Sequence, residues 1–314
     1  MHVYLARRLL LVIPTLIGVS IIVFMLVRLL PGDAVTMLLQ EYNYGKDADE
    51  LRAKLGLDRP MYIQYFDWVG GVVRGDLGTS LRSKGPVADE LVNRMPVTAE
   101  LGVIAMLVGL AIALPVGIIA AIRQDTWSDY LGRSVAIGLL AIPGFWLGTL
   151  VVTLPSVWWG WTPPLRYTRL LDDPLKNLGH VVIPAIILGL ALSGTLMRLT
   201  RAQMLEVLRQ DFVRTASAKG LNERAVVVRH ALKNAFIPVL TLLGLQVSIL
   251  VGGTVVLESV FVLPGMGRYL LEAVQYRDYP VIQALNLIFA TVIVLANLLV
   301  DLLYGWLDPR VRYQ

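Results

Sequence analysis

Residues Asp211–Pro238 read DFVRTASAKGLNERAVVVRHALKNAFIP, a polar and strongly basic stretch that lies between two long apolar runs. The stretch contains no set of residues that could perform catalysis, and small side chains crowd its first half. Small side chains let the backbone of another protein come close. The pattern therefore favours a surface that is pressed against a partner, although a solvated pair of helices explains it equally well.

Capping residues divide this stretch into two helices. Asp211 can accept hydrogen bonds from free backbone N–H groups, which predicts a short helix over Phe212–Lys219. Gly220 is the expected left-handed stop after that helix. Asn222 can cap a second helix, predicted over Glu223–Phe236.

The composition indicates an integral membrane protein. The 314 residues are 56% hydrophobic and only 16% charged, with a mean hydropathy of +0.66. Soluble domains contain about 45–50% apolar and about 25% charged residues. The chain has no cysteine, which excludes disulfides and thiol chemistry. The three histidines (His2, His180 and His230) lie far apart in sequence, so we expect no metal and no cofactor in this chain.

Apolar runs of about 20 residues predict six membrane-spanning helices. The runs are Leu9–Leu30, Val97–Ile122, Leu131–Leu154, Leu178–Leu199, Ile237–Leu257 and Gln283–Trp306. Prolines interrupt several of them, which membrane helices tolerate where neighbours satisfy the freed backbone groups. The first run follows two arginines, as in a signal peptide. Its length and its lack of a small-residue cleavage site instead predict a retained anchor.

The distribution of lysine and arginine predicts that both termini lie in the cytoplasm, because cytoplasmic loops are enriched in these residues. In that orientation the cytoplasmic segments hold fourteen lysines and arginines, whereas the short outer loops hold five. The net charge of +5 therefore reflects membrane orientation and not nucleic-acid binding. The same orientation places the Asp211–Pro238 stretch in the cytoplasm.

The outer loop over residues 31–96 is too long to be a plain turn. Its segments LRAKLGLDRP and MYIQYFDWVGGVV predict two short amphipathic helices at the outer membrane surface. A turn at Gly75–Gly78 closes the second helix. The loop is explained equally well as a passive cap and as a contact for a partner.

Catalytic motifs are absent from the sequence, which has no phosphate-binding GxxxxGK[ST], no GxSxG and no HExxH. Ionisable residues in the apolar runs are the remaining candidates, because burying a charge is costly. We expect Arg28 to reach the membrane interface and Glu100 to lie one turn into its span. We expect Glu258 to end the fifth run and Asp301 to make a polar contact between helices. They form no evident ion path, which disfavours a proton-coupled carrier.

An ordered set of motifs resembles the permeases of binding-protein-dependent ABC importers, in particular the dipeptide, oligopeptide and nickel group. The motifs are ARRLLLVIPTLIGVSIIVFMLVRLLPGD, LGLDRPMYIQY, GDLGTS, IPGFWLG, LTRAQMLEVLRQDFVRTASAKGL, GGTVVLESVFVLPGMGR, RDYPVIQ and NLLVDLLYGWLDPR, which together cover essentially the whole chain. The long outer loop is similar to that of the B-type permease. The resemblance implies an all-α integral membrane fold, the six-helix transmembrane domain of a type I ABC importer.

That resemblance also implies a division of the chain. Residues 1–30 form an N-terminal transmembrane helix, and residues 31–96 form the extracytoplasmic loop. Residues 97–306 form the core permease domain, with a cytoplasmic coupling loop at 200–236. Residues 307–314 form a cytoplasmic tail.

In this family a short cytoplasmic helix sits in a groove of a separate ATPase subunit and couples ATP binding to transport. Carried onto this sequence, the expected contact residues are Arg214, Thr215, Ala216, Ala218, Lys219 and Gly220. Arg214 stands where the broader importer pattern has a glutamate. A salt bridge made by that glutamate is therefore not expected here, whereas Gly220 fits the pattern.

The resemblance implies a permease subunit of an ATP-driven importer for peptides, nickel chelates or glutathione in the cytoplasmic (inner) membrane of a bacterium or archaeon. The expected partners are a C-type permease subunit, two ATP-binding subunits that hold ATP and Mg²⁺, an extracytoplasmic substrate-binding protein and membrane lipid, without nucleic acid. The chain itself is then not an enzyme. A stand-alone secondary carrier or channel is the alternative, and a membrane anchor or receptor fits six spans poorly.

Overall fold

The computed structural model describes residues 2–29, 56, 58–164 and 166–307, and within these residues the chain is helical. The helices are α1 (His2–Leu29), α2 (Met61–Val73), α3 (Val87–Ile122), α4 (Trp127–Ala141), α5 (Gly144–Trp159), α6 (Pro174–Leu208), α7 (Asp211–Ala218), α8 (Glu223–Val260), α9 (Met266–Gln275) and α10 (Tyr279–Leu307). In the described part of the chain, a single isolated bridge between Thr79 and Pro86 is the only β-type pairing. The all-α prediction is confirmed.

Five of these helices (α1, α3, α6, α8 and α10) are long and apolar enough to cross a membrane. Helices α4 and α5 meet at an angle of 84° and form a sixth span when they are counted together. The predicted run Leu131–Leu154 lies in this pair, and the interruption expected from its proline is a break between two helices. Ile142 is extended, with φ of −90° and ψ of 117°, because the ring of Pro143 disfavours helical geometry in the preceding residue.

Helix α3 is longer than its apolar run, since it starts at Val87 and not at Val97. Glu100 is therefore several turns inside α3, although it lies only one turn into the predicted apolar run. Helix α6 starts at Pro174 with Asp173 as its N-cap, whose carboxylate accepts a hydrogen bond from the Lys176 N–H at 3.2 Å. A further hydrogen bond from the Lys176 side chain lowers the pKa of Asp173.

The described residues divide into two compact units, of which the first contains those of the range 98–263 and residues 296–307. Helix α6 is central to this unit and packs closely on α3 and α4 through glycine. A Cβ atom at Gly189 would lie 2.7 Å from the carbonyl oxygen of Ala105, and one at Gly194 would lie 2.9 Å from that of Ala136. Small residues at such crossings let the backbones of membrane helices approach each other.

The second unit contains the described residues of the range 2–97 together with residues 264–295. Helix α2 confirms one of the two predicted amphipathic helices, whereas the other falls largely on residues 51–57, of which only Gly56 is described. Helix α2 packs on α1: the hydroxyls of Ser20 and Tyr65 are 2.8 Å apart, and Arg28 Nη2 donates to Gln64 Oε1 at 2.7 Å. Arg28 is thus held by a side-chain partner on α2.

The segment after α2 forms the predicted turn. Gly75 and Gly78 both have φ of +84°, a left-handed conformation that glycine adopts without steric cost. The chain that follows is fastened to Asp278, which lies just before α10. The Ser80 hydroxyl donates to Asp278 Oδ2, and the Leu81 N–H donates to Asp278 Oδ1 at 3.0 Å.

Candidate coupling surface

Helix α7 begins one residue earlier than predicted. Gln210 occupies the N-cap position, and its side chain makes no capping hydrogen bond. The prediction that Asp211 caps this helix is wrong, because Asp211 is already helical and its Oδ1 lies 3.4 Å from Arg214 Nη1. Both side chains are largely exposed, so this ion pair contributes little to stability.

The predicted left-handed stop at Gly220 is confirmed at the end of α7. The Lys219 N–H donates to the Thr215 carbonyl at 3.1 Å, and the Gly220 N–H donates to the Ser217 carbonyl at 3.0 Å. Gly220 has φ of +81°, which disfavours every residue that carries a Cβ atom. A Cβ atom here would meet nothing within 4 Å, so glycine is required by backbone conformation and not by space.

One face of α7 is buried. Val213 and Ala216 are only 4% and 6% exposed. They belong to a hydrophobic cluster, which we name the coupling seat, together with Ala121, Met204, Val207, Val226, Val227, Ala231 and Ala235. These residues come from the ends of α3 and α6 and from the first turns of α8. Helix α7 therefore packs against three longer helices, α3, α6 and α8.

Of the six residues expected to contact a partner, Ala216 is buried in the coupling seat. The other five expected contact residues are all exposed: Arg214, Thr215, Ala218, Lys219 and Gly220. Their contact with a partner stays a prediction.

Sequence reasoning missed two exposed apolar residues beside them, Phe212 and Leu221, which are 40% and 43% exposed. Phe212, Thr215 and Lys219 are spaced three and four residues apart and so share one helix face. The sequence carried this signal, since Val213 and Ala216 are also three residues apart and together form the neighbouring face of α7. We name the exposed set the coupling surface: Phe212, Arg214, Thr215, Ala218, Lys219, Gly220 and Leu221.

The helix that follows the coupling surface starts as predicted. Asn222 Oδ1 accepts a hydrogen bond from the Ala225 N–H at 2.8 Å, which confirms Asn222 as the N-cap of α8. The next residues, Val226–Ala231, form a π-helical segment that the sequence pattern did not predict. Such segments are rare and are often found at functional sites. This one supplies three members of the coupling seat.

A buried ion pair joins α4 to the same part of α6. Asp129 is 0% exposed, and Arg201 donates from Nε to Oδ1 at 2.6 Å and from Nη2 to Oδ2 at 2.7 Å. The Asp125 N–H donates to Oδ2 at 3.1 Å, and Arg133 Nε lies 3.6 Å from Oδ1. Sequence reasoning missed this pair because 72 positions separate Asp129 from Arg201 and no local pattern links them.

The other ionisable candidates do not converge on a reaction centre. Glu258 is fully buried inside α8, which continues to Val260, and it accepts a hydrogen bond from Thr98 Oγ1 at 2.7 Å. The expected helix contact of Asp301 stays a prediction. Among the described residues, no three His, Asp or Glu side chains are close enough to hold a metal ion.

Comparisons with known proteins identify the family of this chain. Residues 113–313 match the family model described as binding-protein-dependent transport system inner membrane component. Residues 1–102 match the model of the N-terminal part of such membrane components. The chain belongs to the family of binding-protein-dependent transport system inner membrane components.

Several curated relatives are similar over their whole length. The dipeptide transport system permease protein DppB of Escherichia coli K12 is 41% identical over 335 residues, with 99% of each chain covered. The protein of the same name from Alkalihalophilus pseudofirmus is 40% identical over 333 residues, with 100% of each chain covered. The glutathione transport system permease protein GsiC of Escherichia coli K12 is 40% identical over 311 residues, with 99% of each chain covered.

Family membership decides between the function classes that the sequence left open. The chain is a permease subunit of an ABC importer and not a stand-alone carrier, a channel or an anchor. It is a multi-pass protein of the bacterial inner membrane, and it works with a substrate-binding protein. Subunits of this kind are not themselves enzymes, since ATP hydrolysis belongs to partner subunits.

Proposed function

We propose that the chain is one of two membrane subunits of an ABC importer for short peptides. Its partners are a C-type permease, two ATP-binding subunits that hold ATP and Mg²⁺, and an extracytoplasmic binding protein. The named relatives support peptides as the cargo: two of those described above are dipeptide permeases, and the third serves glutathione, itself a tripeptide.

The coupling surface docks on one of the ATP-binding subunits. The single observation that carries this role is the position of α7, which exposes an apolar and small-residue face while its other face is locked into the coupling seat. When ATP draws the ATP-binding subunits together, α7 moves as a rigid body. Because the seat includes residues of α3, α6 and α8, this movement shifts three membrane-spanning helices at once.

The orientation follows from the positive-inside rule, with both termini and α7 in the cytoplasm. The segment around α7 is basic, since Arg209, Arg214, Lys219, Arg224 and Arg229 are all exposed. A cytoplasmic position is required if the coupling surface is to meet a subunit that binds ATP.

Replacing Gly220 by valine is expected to reduce peptide uptake strongly while the protein still inserts into the membrane. A β-branched residue in the left-handed conformation is strained by about 1–2 kcal/mol, so the end of α7 would shift. The measurement is uptake of a labelled dipeptide by cells that carry the complete transport system, with the amount of inserted protein determined in parallel.

The matched control is Gly220→Asn, because asparagine tolerates positive φ while adding a side chain of similar size. We expect Gly220→Asn to retain more uptake than Gly220→Val. Unchanged uptake by Gly220→Val at equal membrane levels would count strongly against a coupling role for this end of α7.

A further inference from the structure

A second polar site lies in the first unit, at the opposite end of α6 from α7. Four side chains form it, and we name them the acceptor cluster: Glu100 on α3, Tyr167 on the segment between α5 and α6, and Asn177 and His180 on α6. Asn177 is completely buried, and His180 is 8% exposed. The coupling role of α7 does not involve this cluster.

Hydrogen bonds connect three members of the cluster, but they use only one oxygen of the Glu100 carboxylate and only the nitrogen of the Asn177 amide. The two N–H groups of the Asn177 amide are shared among three acceptors: Glu100 Oε2 at 3.1 Å, the Tyr167 hydroxyl at 3.2 Å and the Thr168 carbonyl at 3.1 Å. The Tyr167 hydroxyl donates to the same Glu100 oxygen at 3.1 Å. These contacts fix the amide so that Asn177 Oδ1 points away from them.

Three buried atoms of the cluster have no hydrogen-bond partner: Glu100 Oε1, Asn177 Oδ1 and His180 Nε2. His180 Nδ1 lies 2.9 Å from the Lys176 carbonyl, an acceptor, so in the neutral ring Nδ1 carries the proton and Nε2 has a lone pair. All three orphaned atoms are therefore acceptors. Buried polar groups without a partner are uncommon and costly.

The Glu100 side chain is half-buried, and its Oε1 has no hydrogen-bond partner among the described residues. Burial and the neighbouring Glu100 charge raise the pKa of Tyr167 to about 12, so the phenol stays a neutral donor. A carboxylate in such a place is stabilised by a bound cation.

A cleft of about 1020 Å³ lies beside the cluster. Tyr167 and His180 line it, together with the basic residues Arg166, Arg169 and Lys176, whereas Glu100 and Asn177 lie behind this lining. The cleft is as large as the pockets that hold small molecules, which measure about 300–1,000 Å³. His180 Nε2 is the orphaned acceptor that belongs to a lining residue.

We propose that the acceptor cluster binds a protonated primary amine, the N-terminal ammonium group of the peptide cargo. An ammonium group has three N–H donors, which equals the number of orphaned acceptors. The basic lining of the cleft suits the carboxylate of the same zwitterionic molecule. The amine chemistry stands on the cluster alone, whereas the identity of the cargo rests on the proposed function.

Tyr167 engages only one oxygen of the Glu100 carboxylate. Its hydroxyl lies 3.1 Å from Oε2, which is longer than the 2.5–2.7 Å usual for a hydroxyl bonded to a carboxylate. The other oxygen, Oε1, is left for the ammonium group.

Ligand binding by the chain, purified with its co-purifying subunits in lipid nanodiscs and without the binding protein, tests this inference. Saturation-transfer NMR would compare alanine amide, which has a free amine, with N-acetylalanine amide, which has none. We expect wild type to bind only the free amine. Glu100→Gln should weaken that binding at least about tenfold, the loss expected for one charge-assisted hydrogen bond.

Tyr167→Phe is the second variant, and it should bind the free amine about as tightly as wild type, because the lost hydroxyl contacts Glu100 Oε2 and not the orphaned Oε1. Glu100→Gln should also unfold at a temperature no lower than wild type, since it removes a half-buried charge. Failure of wild type to bind alanine amide, equal binding of the acetylated compound, or unchanged binding by Glu100→Gln would overturn the inference. A lower unfolding temperature of Glu100→Gln would show that the cluster only fastens the segment before α6.

Uptake of labelled dialanine by the complete system separates this inference from the proposed function. Dipeptide uptake without amine binding in the nanodiscs would reject the acceptor cluster alone. Amine binding without uptake of any short peptide would reject the proposed cargo and leave the cluster as an amine site.

Discussion

Replacing Asp129 by asparagine is expected to lower the free energy of unfolding by about 3 kcal/mol, the low end of the range for breaking a buried ion pair. The asparagine would present an amide to the two Arg201 nitrogens that now lie 2.6 and 2.7 Å from the carboxylate. The guanidinium would then be left without its counter-charge. The low end applies because Arg201 is 19% exposed and can be partly hydrated. Unfolding of the purified chain in detergent measures the change.

The matched control for this prediction is the double variant Asp129→Leu with Arg201→Met, which removes both charges together. Replacing a whole buried ion pair by apolar residues is often neutral or stabilising. We therefore expect the double variant to recover most of the stability that Asp129→Asn loses. An asparagine variant within about 1 kcal/mol of wild type would show that the pair does not hold α4 on α6.

Replacing Phe212 by aspartate is expected to abolish most uptake and to release the ATP-binding subunits during purification. Phe212 is the largest apolar side chain of the coupling surface, and aromatic residues at the centre of an interface often contribute 2 kcal/mol or more. A loss of that size weakens the association about 30-fold. A carboxylate at this position would also have to be desolvated against the partner.

Phe212→Tyr is the control, because it keeps the ring and adds a hydroxyl that can reach water. We expect this variant to transport nearly as well as wild type. Since Phe212 is outside the coupling seat, both variants should insert and unfold like wild type. If Phe212→Asp still co-purified with the ATP-binding subunits at wild-type yield, Phe212 would not belong to the interface.

The sequence predicted the features of this fold that follow from local chemistry. Apolar runs located the membrane helices, and Gly220 and Asn222 marked where α7 ends and α8 begins, because each satisfies backbone groups next to it. The start of α7 was placed one residue late. Gln210 and Asp211 are both polar, and the choice of cap depends on how the chain leaves α6.

Features that depend on tertiary contacts could not be predicted in this way. The Asp129–Arg201 pair and the acceptor cluster each join segments that are far apart in sequence. The 84° bend between α4 and α5 was missed for a different reason. Pro143 signals an interruption, but a proline alone does not distinguish a tolerated kink from a broken helix.

The periodicity of α7 refines the set of contact residues on this helix. The six expected residues include Ala216, although a helix buries every third or fourth side chain. Val213 and Ala216 have this spacing and belong to the coupling seat. The proposed coupling surface therefore omits Ala216 and adds Phe212 and Leu221.

Disulfide cross-linking between α7 and an ATP-binding subunit tests the central claim most directly. The chain has no cysteine of its own, so each introduced cysteine reports on one position. Single cysteines would be placed at Ala218, which is exposed, and at Ala216, which is buried in the coupling seat. Paired with cysteines along the groove of the ATP-binding subunit, Ala218→Cys should form a cross-link and Ala216→Cys should not. Cross-linking of Ala216→Cys alone, or of neither variant, would contradict the proposed coupling surface.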